Sequence, residues 1–135
     1  MTKFVIGADV ALHLARSAAA IPARHRLLAP TLIRSQCLAE VYGAVRRGEL
    51  DEREAGRQLD DLRRLRLRLL GDRVLQRVAW KIASELGWPD TFMAEYLALT
   101  RLQADAFVCL DPALARVASA VVPVASIDAL LGADA

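Results

Sequence analysis

Residues 91–111 read TFMAEYLALTRLQADAFVCLD. Phe92, Tyr96, Leu99 and Leu102 recur at helical intervals, so the stretch predicts a helix over Thr91–Gln103. After a brief polar break, Ala106–Leu110 is an uninterrupted apolar run of strand length, and it stops on Asp111. Helix, strand, acid is the unit from which the rest of the chain can be read.

Upstream, Phe4-Val5-Ile6 predicts a first strand, followed by the turn Gly7-Ala8-Asp9 and a helix through VALHLARSA. Arg26–Ala29 predicts a second strand closed by Pro30, with Thr31 as the N-cap of a helix that runs to Arg47 before Gly48. Asp51 starts the helix DEREAGRQLDDLRRL, whose early acids and late arginines suit the helix dipole. Arg66–Leu70 alternates arginine with leucine, the pattern of a half-exposed strand, and Gly71-Asp72 leads into DRVLQRVAWKIASEL. Gly87 and Pro89 punctuate. Downstream, Pro112 opens the short helix PALARVAS. Val121–Val124 predicts a last strand, which Pro123 places at a sheet edge, before a helix over Ser126–Leu131. Strands separated by helices imply an α/β fold, a three-layer α/β/α sandwich around a mainly parallel sheet.

The chain has 135 residues, 55% hydrophobic and 25% charged, with a mean hydropathy of +0.27; it is expected to form one ordered domain spanning residues 1–135. No apolar run reaches bilayer length, and MTKFVIGADV lacks the regions of a signal peptide, so a cytoplasmic protein is expected, with no membrane association. Cys37 and Cys109 have no metal-type spacing and read as reduced, buried fillers. His13 reads as a helix surface residue and His25 as a loop residue, neither with ligands at metal spacing. Net charge is only +2, but arginines cluster between Arg34 and Arg73. Such a basic face suits a polyanion, while the interleaved Glu52, Glu54, Asp60 and Asp61 suit an ordinary solvated helix face.

Ligands of a parallel sheet gather outside the carboxyl ends of its strands. Asp9 follows the first strand and Asp111 ends the fourth, so two carboxylates are expected at that edge, as a hard divalent cation requires. Each also reads as a helix cap.

With these residues in view, the chain resembles a PIN domain of the VapC toxin type over essentially its whole length. The segments that carry the resemblance are AEYLALTRLQADAFVCLD, the following PALARVA and the closing VVPVASIDALL. The resemblance implies a sandwiched parallel sheet, Mg2+- or Mn2+-dependent RNA cleavage by acids at one sheet edge, a small antitoxin protein as partner, and a homodimer. Carried over by position, the family's first aspartate falls at Gly7, its glutamate at Gln36 and its third aspartate at Met93; only Asp111 falls on a family acid.

Displaced acids lie nearby. Asp9 is two residues beyond Gly7, on the same face if the strand persists; Glu40 is one turn beyond Gln36; Asp90 precedes Met93 by three. The expected site is therefore Asp9, Asp111, Glu40 and Asp90 as metal ligands and catalytic acids, with Gln36 offering an amide oxygen. On this reading a Mg2+ or Mn2+ on Asp9 and Asp111 activates a water against an RNA phosphodiester, while Arg34, Arg46 and Arg47 hold phosphates. Glu40 equally reads as an exposed acid paired with Arg47 or Arg34, Asp90 as a helix cap, and Glu95 as an outlying candidate. Met93 reads as a core or pocket filler, since a thioether is a poor ligand for Mg2+. The alternative function is a catalytically inactive PIN-like module that binds RNA or an antitoxin.

Overall fold

A computed structural model describes residues 1–132. The elements are β1 (Thr2–Ile6), α1 (Ala8–Ser17), β2 (His25–Pro30), α2 (Ile33–Arg46), α3 (Glu52–Arg64), β3 (Leu67–Leu70), α4 (Arg73–Leu86), α5 (Phe92–Gln103), β4 (Ala106–Val108), α6 (Pro112–Ser119), β5 (Val124–Ala125) and α7 (Ile127–Leu131). The last three residues of the expected 1–135 span lie outside the described ones.

All strand pairs are parallel, and the sheet order is β3-β2-β1-β4-β5. Helices α1, α2 and α3 pack on one another, while α4 packs on α5 and α5 lies against β1, β2 and β4. These two helical layers enclose the sheet, giving the three-layer α/β/α sandwich. The central strand β1 contributes Phe4, Val5 and Ile6 to the core, and its neighbour β4 contributes Ala106, Phe107 and Val108. Strands buried on both faces read as continuous apolar runs, which is why these two were recognisable.

Local chemistry sets the helix starts. Asp51 and Glu54 form a reciprocal capping box at α3, and Asp72 accepts the Leu75 N–H at α4. Thr31 does not cap α2: the N-cap is Leu32, without a side-chain bond. β5 is shorter than the expected Val121–Val124, because Val121 and Val122 close the end of α6 through bonds to the Ala118 carbonyl and pairing begins only at Pro123, whose carbonyl accepts the Phe107 N–H. β5 is an edge strand, as the proline requires. His25 is not a loop residue. It opens β2, packs edge-on to Phe4 with ring centroids 5.0 Å apart, and donates from Nδ1 to the Leu130 carbonyl at 2.8 Å.

Candidate functional site

From β1 the chain builds outward through β2 to β3, then returns across the sheet to add β4 and β5 on the other side. The direction of growth reverses between β1 and β4, and a crevice opens outside the carboxyl ends of the strands at such a point. Gly7 follows β1 and Asp111 follows β4. The fold thus brings the two expected acidic positions to one place.

Asp9 does not extend β1, because the helix has already begun at Ala8 with Gly7 as N-cap. The same-strand-face relation expected between Gly7 and Asp9 therefore fails. Asp9 is instead turned back over the glycine: its Oδ1 accepts the Val10 N–H at 2.8 Å, and its Oδ2 accepts the Leu110 N–H at 2.8 Å. The second bond ties the start of α1 to the segment after β4. A Cβ on Gly7 would stand 2.8 Å from that Oδ1, inside any normal contact distance. The carboxylate occupies room that exists only because residue 7 has no side chain.

Gln36, on α2, is half-buried, and its Oε1 accepts the hydroxyl of Tyr96 on α5. The bond joins the two helical layers. Tyr96 is fully buried, and its phenol is held well above its usual range, chiefly by burial and further by Cys37, Glu95 and Asp9 nearby. It is a neutral donor. The helical spacing marked Tyr96 only as a core residue; the available signal was that a buried tyrosine hydroxyl needs a partner.

Cys37 and Cys109 are free and buried. Burial pushes each thiol up to about 11, aided at Cys37 by Glu40 and at Cys109 by Asp9 and Asp111. Asp9 and Asp111 are thus both close enough to the Cys109 thiol to oppose its ionisation. Asp111 itself is exposed, and its Oδ1 accepts the Ala113 N–H at 3.0 Å, capping α6 ahead of Pro112.

The other expected acids lie apart in role. Glu40 is exposed and has no ion-pair partner among the described residues; Arg47 pairs with Glu49 at 2.7 Å, and Arg34 with no acid. Asp90 accepts the Phe92 N–H at 3.2 Å, although the N-cap residue of α5 is Thr91. Glu95 is partly buried, and desolvation raises its carboxyl above the usual range. Met93 is half-buried and faces a cleft of about 400 Å3 that it shares with Trp88, Asp90, Asp111, Leu114 and Val117. Arg34, Arg46 and Arg47 are all exposed.

Among the described residues no three His, Cys, Asp or Glu side chains are grouped to hold a metal. The expected set of Asp9, Glu40, Asp90 and Asp111 is therefore not one cluster, and the physical reasons are local. Asp9 has both oxygens on backbone amides, the Gln36 oxygen is taken by Tyr96, Met93 brings no charge, and Glu40 stands in solvent one turn beyond Gln36. These donors, so arranged, do not fit a hard divalent cation, which needs several oxygens converging at 2.0–2.6 Å by the general rule.

A second concavity, of about 460 Å3, opens between α2 and α3. Ile33, Leu38, Leu59 and Leu62 line it, with Arg34 and Arg63 among its walls. Leu38, which lines the groove, and Tyr42, one turn further along α2, are 56% and 64% exposed, large values for such side chains.

No protein-family model matches the chain, and no curated protein does. Among solved structures the chain is similar to PAE2754 from Pyrobaculum aerophilum, with a TM-score of 0.77 at 20% sequence identity, over 97% of this chain and 93% of that one. At that identity the likeness extends to the fold.

Proposed function

We propose that this chain is a PIN-like module of the VapC type that works by binding a protein partner, an antitoxin-like polypeptide, and has lost metal-dependent RNA cleavage. The observation that carries the proposal is the Asp9 carboxylate, the acid best placed to replace the one missing at Gly7, held on two backbone amides and folded over the glycine. The sequence resemblance supports the family, and the parallel sheet with its switch point between β1 and β4 is consistent with it. The groove beside α2 supports partner binding: its leucines would take apolar side chains, and Arg34 and Arg63 would pair with acids of the incoming segment. A cytoplasmic setting and self-association as a homodimer belong to the same proposal; Trp80, 73% exposed on α4, offers apolar surface for the latter.

A second reading, a weakened Mg2+- or Mn2+-dependent endoribonuclease, is favoured by one observation: the Asp9 Oδ2 accepts the N–H of Leu110, the residue before Asp111, so two carboxylates still share the edge. Cleavage of a mixed RNA pool, with Mg2+ or Mn2+ added, by the wild type and Asp111→Ala separates the readings. The binding module gives no cleavage, or a background that the substitution leaves unchanged. Metal-dependent cleavage abolished by Asp111→Ala would establish the nuclease instead.

A further inference from the structure

Among the described residues β3 is an edge strand: it pairs in parallel with β2 on one side and with no strand on the other. Residues two apart in a strand aim their N–H and C=O to the same side. The Leu70 carbonyl accepts the Thr31 N–H, so Leu70 and Arg68 turn these groups toward β2, while Leu67 and Leu69 turn theirs outward. The Leu67 N–H is taken by the Leu65 carbonyl, which leaves the Leu67 C=O and both the N–H and the C=O of Leu69 on the open edge. The same two leucines line the concavity between α2 and α3, together with Leu59 and Leu62. Alternation sends the Arg68 side chain to the other face of the sheet. It is exposed there, as is Arg66 just before the strand, and neither has an acid partner among the described residues.

Free backbone groups, an apolar face and a basic face therefore coincide on one short strand. A helix in the concavity leaves the edge groups unmet; an extended segment meets both, because its alternate side chains fall on the two faces. A second copy of the chain is a poor occupant: in the two-fold antiparallel pairing that sets Leu67 against Leu69, Arg68 faces its own copy. We propose that the open edge of β3 takes up an extended segment of an acidic partner as a sixth strand of the five-stranded sheet, its apolar side chains entering the groove beside Leu67 and Leu69 and its carboxylates meeting Arg66 and Arg68. The inference deepens the reading of the α2 groove as a partner site and rests on it.

Titration of the end-blocked peptide Glu-Val-Glu-Val-Glu-Val into the full chain in metal-free buffer, followed by NMR amide shifts and amide exchange, tests it. Saturable binding at up to about 1 mM peptide is expected, with exchange of the Leu69 N–H slowed at least about tenfold at saturation. The peptide Glu-Glu-Glu-Val-Val-Val, of the same composition without the alternation, should bind at least about tenfold more weakly. In an added strand only one alternate set of residues turns its N–H groups to β3, so N-methylation of either the valines or the glutamates should abolish binding and of the other set should leave it. Arg66→Glu/Arg68→Glu changes two exposed side chains and should fold, as checked by circular dichroism. It should prefer Lys-Val-Lys-Val-Lys-Val over the acidic peptide by at least about tenfold. Equal affinity for the two glutamate peptides, no protection of Leu69, or indifference to N-methylation of both sets overturns the proposal. Failure of the partner-module reading shows separately, as Mn2+-dependent RNA cleavage lost in Asp111→Ala, and the metal-free titration decides the strand edge in either case.

Discussion

The Asp9 Oδ1 lies 2.8 Å from where a Cβ on Gly7 would stand. A side chain at position 7 and the present placement of the Asp9 carboxylate are thus mutually exclusive. The glycine is not needed for its backbone, because its φ of −76° and ψ of 168° are open to any residue. It is needed for the space.

Gly7→Ala should therefore destabilise the fold by about 1 kcal/mol, by pushing Asp9 off the Leu110 amide. In an Asp9→Ala background the same change should be neutral or stabilising by up to about 1 kcal/mol, since the alanine then only reduces the freedom of the unfolded chain. A double-mutant cycle by urea denaturation measures the coupling. Additive effects would mean that the two residues do not compete for one place.

Tyr96 and Gln36 form a second coupled pair. Gln36→Leu strands a fully buried hydroxyl and should cost about 1–3 kcal/mol, while Tyr96→Phe should cost about 1 kcal/mol, because the half-buried amide can turn to water. The double variant should lose less than the sum, as read from chemical denaturation.

The buried thiols give a pH dependence. Their folded-state values, about 11, lie above the ordinary 9.0, so ionisation favours the unfolded chain. Stability should be level with respect to these groups below pH 9.0 and fall as the pH rises toward about 11, with Tyr96 adding to the loss above its ordinary 10.0. Cys37→Ala/Cys109→Ala should flatten the first part of that fall in thermal melts taken across the range. At neutral pH both native thiols should resist an aromatic disulfide reagent and react on unfolding.

Asp111→Ala removes the α6 cap and should lower stability by about 1 kcal/mol, whereas Asp111→Asn should cost a few tenths of that. Differential scanning calorimetry of the two variants distinguishes the loss of the cap from the loss of the charge.

The sheet was legible in the sequence because β1 and β4 are continuous apolar runs and β3 alternates, patterns that depend only on neighbours in the chain. The end of β5 was misplaced because residues 121 and 122 are claimed by the α6 terminus, a competition that hydropathy does not register. At the site, positions were readable and orientations were not. Asp9 was expected beside Gly7 on one strand face, but the helix has already begun at Ala8. Glu40 was expected to stand in for Gln36, but Gln36 is held by a tyrosine 60 positions away and Glu40 points to solvent. Met93 stands where the resemblance would place a carboxylate; that its cleft is shared with Asp90 and Asp111 was visible only in three dimensions.

The central claim is the proposal that the acids at this sheet edge serve internal hydrogen bonds and do not bind a metal. Isothermal titration of Mn2+ into the wild-type chain and Asp111→Ala tests it most directly. The expected result is no saturable heat in either protein at up to about 1 mM Mn2+, a concentration that reveals binding worth about 4 kcal/mol. A one-to-one isotherm in the wild type that disappears in Asp111→Ala would contradict it.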